Sequence, residues 1–256
     1  MWFEWEASVP CEGSRWGECV ACGAAMGCLA SSPAQEDTRS PLERRAVNAV
    51  LARAEELRAS GNVPRTFDAA ALRFPLARKS FRSVRGCFKE HAEGEGALDG
   101  CSLRFDVCRD KVLPSIGMHL AADEEAELIA TADLDGSKAL SFREFLIILC
   151  LGHLVGGLDV GYESDVEGLD VKTAVAGMMD TVVQCWALFD ADNDGFITRG
   201  ETEAVFSREG MEGGGGVAQT RFDEMDWDHS GRTSFIEFLY AFEGWIGVDD
   251  DELDET

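Results

Sequence analysis

Asp190-Ala191-Asp192-Asn193-Asp194-Gly195-Phe196-Ile197-Thr198-Arg199-Gly200-Glu201 places carboxylates at positions 1, 3 and 5 of twelve and a glutamate at position 12. A hard dication such as calcium takes about six to eight oxygens, and this spacing supplies them. Asp190, Asp192 and Asp194 offer side-chain oxygens, and Glu201 can offer two. Gly195 at position 6 suits the sharp turn, which needs a positive φ. Phe196 at position 7 would give its backbone carbonyl, and Thr198 at position 9 would act through a water. Ile197 at position 8 would pair with a partner loop in a short β-bridge. An acidic surface turn rarely combines these residues, in this register, between two apolar helical stretches.

Working outward, the pattern recurs. Asp226-Trp227-Asp228-His229-Ser230-Gly231-Arg232-Thr233-Ser234-Phe235-Ile236-Glu237 begins 36 residues after Asp190. Its ligands would be Asp226, Asp228, Ser230, the carbonyl of Arg232, and Glu237. With three carboxylates against four, it should bind more weakly than its neighbour. His229 is expected to point outward and stay solvated.

Upstream, Asp133-Leu134-Asp135-Gly136-Ser137-Lys138-Ala139-Leu140-Ser141-Phe142-Arg143-Glu144 gives Asp133, Asp135, Ser137, the Ala139 carbonyl and Glu144 as ligands. Lys138 stands at position 6 where glycine is expected, and Gly136 lies two places early. A side chain held at positive φ costs on the order of 1–2 kcal/mol, or about tenfold in affinity. The run Phe145 to Leu151 after this loop is apolar on every helical face, which implies deep burial.

A first copy should fall within residues 91–108. One register starts at His91 and puts Gly96 at position 6 and Leu98 at position 8; another puts Leu103 at position 8. Neither has Asp at position 1 or Glu at position 12, so this copy should fold as a partner without binding calcium.

The chain carries a formal net charge of −25, unevenly spread. Residues 39–91 hold 12 basic and 5 acidic side chains, whereas residues 92–256 hold 10 basic and 37 acidic. The acidic body argues against nucleic-acid binding and suits a cation binder. The run Gly213 to Gly216 reads as a flexible connector and lacks the Lys-Ser/Thr of a phosphate-binding loop. No nucleophile elbow, kinase signature or Cys/His pair points to an enzyme. Nine cysteines, several in apolar helical stretches, fit an intracellular chain with reduced thiols, and no segment reads as a membrane span or secretory signal.

Residues 1–38 read as a disordered tail. Within it, Cys19-Val20-Ala21-Cys22 is half of a zinc-knuckle pattern without recognisable partners. Met26-Gly27-Cys28-Leu29-Ala30-Ser31 matches an acylation pattern. If translation begins at Met26, acylated Gly27 and Cys28 imply peripheral membrane contact; otherwise the expectation is a cytoplasmic protein. Residues 39–79 form a basic helical extension, with Ser40 capping a helix that Gly61 ends, and a second helix is expected from about Ser80.

Arg221 to Asp228, Glu237 to Phe242 and Phe145 to Leu151 resemble the calmodulin-like EF-hand family of plants and algae, over roughly residues 65–248. The resemblance implies an all-α fold of four helix-loop-helix hands, with Ca2+ as the bound ion and no catalytic activity. The expected layout is an N-terminal lobe over 80–156, a linker over 157–170, a C-terminal lobe over 171–248 and an acidic tail over 249–256. The expected function is calcium sensing, in which the ion exposes an apolar groove for an amphipathic helix of a target protein. A calcium buffer that binds no target is the alternative.

Overall fold

The computed structural model describes residues 39–94, 100–158, 171–207 and 214–246. The tail with Cys19, Cys22, Gly27 and Cys28, most of the 157–170 linker and the 249–256 tail lie outside the described residues.

Helix α1 (Pro41–Ala59) starts where Ser40 accepts the Glu43 N–H, and it buries Leu42, Ala46, Val47, Val50, Ala54 and Leu57. Gly61 follows at φ 72°. A short α2 (Phe67–Ala71) is capped by Thr66, whose side chain accepts from the Ala69 N–H. Helix α3 (Phe74–His91) then enters the first hand. It begins six residues before the expected Ser80, because Pro75 occupies its first turn, where a missing N–H costs nothing.

The first hand leaves through β1 (Leu103–Arg104), α4 (Phe105–Val107), a π-helical turn (Cys108–Val112) and α5 (Leu113–Ser115). The second hand is α6 (Ala122–Ala132), β2 (Ala139–Leu140) and α7 (Phe142–Leu154). The third is α8 (Val171–Phe189), β3 (Ile197–Thr198) and α9 (Arg199–Ser207). The fourth is α10 (Gly214–Met225), β4 (Arg232–Thr233) and α11 (Phe235–Ile246). Gly214, Gly215 and Gly216 form the first turn of α10, which corrects the reading of that run as a connector.

Hands pair through their two-residue strands. Leu103 faces Leu140 in β1–β2, and Ile197 faces Thr233 in β3–β4. The first pairing settles Leu103 as position 8 of the first hand. Yet α3 ends at His91, so twelve residues separate helix end and paired strand, against eight from Ala132 to Leu140. The first loop is therefore four residues longer than its partner, and Glu93 and Ser102 close it with two backbone hydrogen bonds of 2.8 and 2.9 Å.

The core is rich in aromatic rings. Trp186, Phe189, Phe235, Phe238 and Phe242 are all at most 1% exposed, and Trp186 meets Phe235 and Phe238 edge-on. Helix α7 is buried from Phe142 almost throughout, as its all-round apolar sequence requires. From Arg39 onward the chain is one unit. Helix α7 packs on both α8 and α11, and Arg143 on α7 pairs with Glu243 on α11 at 2.8 Å.

Candidate metal centres

Each acidic loop begins where a helix ends, so its first carboxylate is the last turn's neighbour. Asp133, Asp190 and Asp226 each follow the final residue of α6, α8 and α10. Among the described residues, carboxylates gather in three places: Asp133, Asp135 and Glu144; Asp190, Asp192 and Asp194; Asp226, Asp228 and Glu237. Within each trio one oxygen per residue lies within 4.8 Å of the others. Every sequence-assigned carboxylate of the three loops except Glu201 thus sits in a trio.

Glu201 is held beside its trio by the loop backbone. Its Oε1 accepts from the Ala191 N–H at 2.8 Å, and its Oε2 accepts from the Thr198 N–H and hydroxyl at 2.8 Å. Glu144 does the same in the second hand, accepting from Leu134 at one oxygen and Ser141 at the other. In the fourth hand Glu237 Oε2 accepts from Ser234, while its buried Oε1 has no hydrogen-bond partner. Asp133 Oδ1 is likewise buried and unpartnered. Two buried carboxylate oxygens without a hydrogen-bond partner, each on a residue of a carboxylate trio, fit a hard cation.

The electrostatics agree. Burial pushes the Asp190 carboxyl up to about 6, with the charges of Asp194 and Glu201 adding to the shift. Burial also raises Asp194 and Glu237. A dication removes the strain that these like charges impose on one another. The residues that would hold it are those named from the sequence, with the carbonyls of Ala139, Phe196 and Arg232 at position 7. In the second and fourth loops that carbonyl now accepts from the position-5 hydroxyl, Ser137 or Ser230, at 2.8 Å.

Turn geometry repeats among the loops. Position 6 is left-handed at Lys138 (φ 62°), Gly195 (86°) and Gly231 (86°). Position 4 is left-handed too, at Gly136 (69°), Asn193 (62°) and His229 (57°). Gly136 is therefore not misplaced; it serves a second left-handed residue that each loop requires. His229 is exposed, in line with a solvated side chain.

Three residues that shape the third loop were not assigned to it from the sequence. The Trp186 indole donates to Asp190 Oδ2 at 2.9 Å. Its position four residues before the first ligand, on the same helix face, is a signal a reader could use. Arg58 on α1 donates to the Asn193 side chain at 2.5 Å and to the carbonyls of Ala187 and Asp190. Arg39 donates to the Gly195 carbonyl at 3.2 Å and lies over the Phe196 ring, whose centroid Arg232 approaches to 3.8 Å. No local pattern marks Arg39 or Arg58, since they lie 156 and 135 residues from those partners.

Helix-loop-helix units paired by short strands, with oxygen clusters at the helix junctions, define an EF-hand calcium-binding protein. Within that class the chain is similar to plant calcium-binding proteins. It is 29% identical over 220 residues to "Probable calcium-binding protein CML21" of Arabidopsis thaliana, covering 82% of this chain and 87% of the relative. It is also 29% identical over 195 residues to "Probable calcium-binding protein CML22" of the same organism, covering 74% and 82%. "Calcium-dependent protein kinase 34" of Arabidopsis thaliana is 25% identical over 192 residues, 75% of this chain but 31% of that protein. No family model matches the chain.

Proposed function

We propose that this calcium-binding protein is a calcium sensor, acting by binding rather than catalysis. Calcium at the third and fourth loops would tighten the oxygen clusters and turn α8, α9 and α11 relative to one another. Those helices carry the aromatic rings of the C-terminal lobe, and their movement would offer an apolar pocket to an amphipathic helix of a target protein. The observation that carries this reading is the pocket itself: Phe189, Phe206 and Trp245 surround the half-buried Phe67, a side chain from outside the two C-terminal hands. A calcium buffer has no use for a pocket that accepts an aromatic side chain from outside its hands. Binding of an apolar dye, measured with calcium and with a chelator, tests the reading. A calcium-dependent rise in bound dye is expected. No rise, with calcium nonetheless bound, would favour the buffer.

A further inference from the structure

The aromatic pocket of the C-terminal lobe is filled by the chain's own N-terminal segment. The Phe67 ring lies 5.3 Å from Phe206 of α9, 5.6 Å from Trp245 of α11 and 6.1 Å from Phe189 of α8, centroid to centroid. Seven residues further on, at the start of α3, Phe74 meets Phe242 edge-on at 5.6 Å. Arg78 then donates two hydrogen bonds, 3.0 and 2.7 Å, to the Ile246 carbonyl at the end of α11. Phe67, Ala70, Phe74, Ala77 and Phe81 repeat at alternating steps of three and four, an apolar seam along α2 and α3. Arg65, Arg73, Arg78, Lys79 and Arg82 flank that seam with positive charge. A basic amphipathic helix with aromatic anchors is what a groove on an acidic lobe recognises.

The two anchors differ in how firmly they are held. Phe74 is 7% exposed and belongs to α3, which continues into the first hand. Phe67 is only partly buried, on a five-residue helix that follows Gly61 at φ 72° and Pro64. A helix that short does not persist on its own and depends on the contacts it makes.

We propose that α2 is a built-in occupant of the C-terminal pocket, and that an external basic amphipathic helix binds by replacing Phe67 with an aromatic anchor of its own. Self-occupancy then sets the affinity for the partner, since each binding event must first displace α2. The proposal rests on the sensor reading, because it places the partner in that same pocket.

A fluorescein-labelled Leu/Lys amphipathic peptide with one tryptophan, titrated with the full-length protein in saturating calcium, tests it. Anisotropy reports binding, while circular dichroism and calcium stoichiometry check the fold. Phe67→Ala should bind the peptide about tenfold more tightly than the unaltered protein, the order expected when a competing aromatic contact is deleted. Adding Trp245→Ala should abolish that gain. If Phe67→Ala does not fold, Phe67→Leu replaces it and should show a smaller gain in the same direction. Binding that Trp245→Ala weakens but neither Phe67 variant strengthens would overturn α2 as competitor and leave the sensor reading intact. No peptide binding by any folded variant would overturn both.

Discussion

Lys138 is held at φ 62° in a turn where the third and fourth loops use glycine at 86°. A side chain in that region costs on the order of 1–2 kcal/mol, and this one adds a positive charge to an acidic loop. Lys138→Gly should tighten calcium binding by the second loop about tenfold, read by titrating a variant that also carries Glu201→Gln and Glu237→Gln. An unchanged affinity would mean that the second loop is not a strained site. Asp190 sets a pH dependence. Its carboxyl is raised to about 6, against about 3.9 in an unfolded chain. A raised folded-state value favours the calcium-free fold at low pH and loses that contribution as pH rises through about 6. Protons and calcium compete for the same oxygens, so affinity of the third loop should fall as pH drops below about 6 and stay level above about 7. Titrations at graded pH check this, and an affinity that rises on acidification would refute it. The carboxylates that gather in each loop were legible in the sequence, because the loop pattern sets their identity and spacing. Arg58 and Arg39 were not, because a contact across more than 130 residues leaves no local pattern.

Elements were legible wherever period and cap agreed. Ser40, Pro41 and the apolar repeat located α1, and the glutamate at position 12 marked α7, α9 and α11, each of which starts two residues before it. The start of α3 and the glycine turn of α10 were not legible, since proline and glycine read as breaks until packing decides otherwise. The first loop hid its register because helix end and strand obey different constraints there, and four added residues separate them. Helix α1 lies against the third loop at Gly195. A Cβ on Gly195 would come within 3.1 Å of Arg39 Nη1 and Val47 Cγ1, whereas a Cβ on Gly231 would meet nothing within 4 Å. Both sit at φ 86°, so both alanine variants carry turn strain on the order of 1 kcal/mol. Gly195→Ala must also shift the Arg39 and Val47 side chains by a few tenths of an ångström, and should lower both melting temperature and calcium affinity more than Gly231→Ala does. Equal losses would mean that α1 does not brace the loop.

At the scale of the whole molecule, the fold class followed from the motifs, whereas the arrangement of the lobes did not. Repeated loops announce helix-loop-helix pairs, and a pair must bury its apolar faces together. Nothing in the loops reveals that α3 reaches across to the C-terminal lobe, or that α7 lies against α11 with Arg143 bound to Glu243. Those contacts are made by residues whose sequence role, apolar stripe or surface charge, is satisfied equally by many neighbours. The asymmetry of charge is part of the same picture: the basic segment 39–91 supplies Arg58 and Arg78 to carbonyls of the acidic hands.

Calcium is expected at Asp190–Glu201 and Asp226–Glu237, more weakly at Asp133–Glu144, and not at the first loop. Isothermal calorimetry of the full-length protein with calcium, repeated on the Glu201→Gln and Glu237→Gln double variant, measures it directly. Two or three ions per chain are expected, with the tightest phase lost in the double variant. Four tight sites, or a titration that the double variant leaves unchanged, would contradict it.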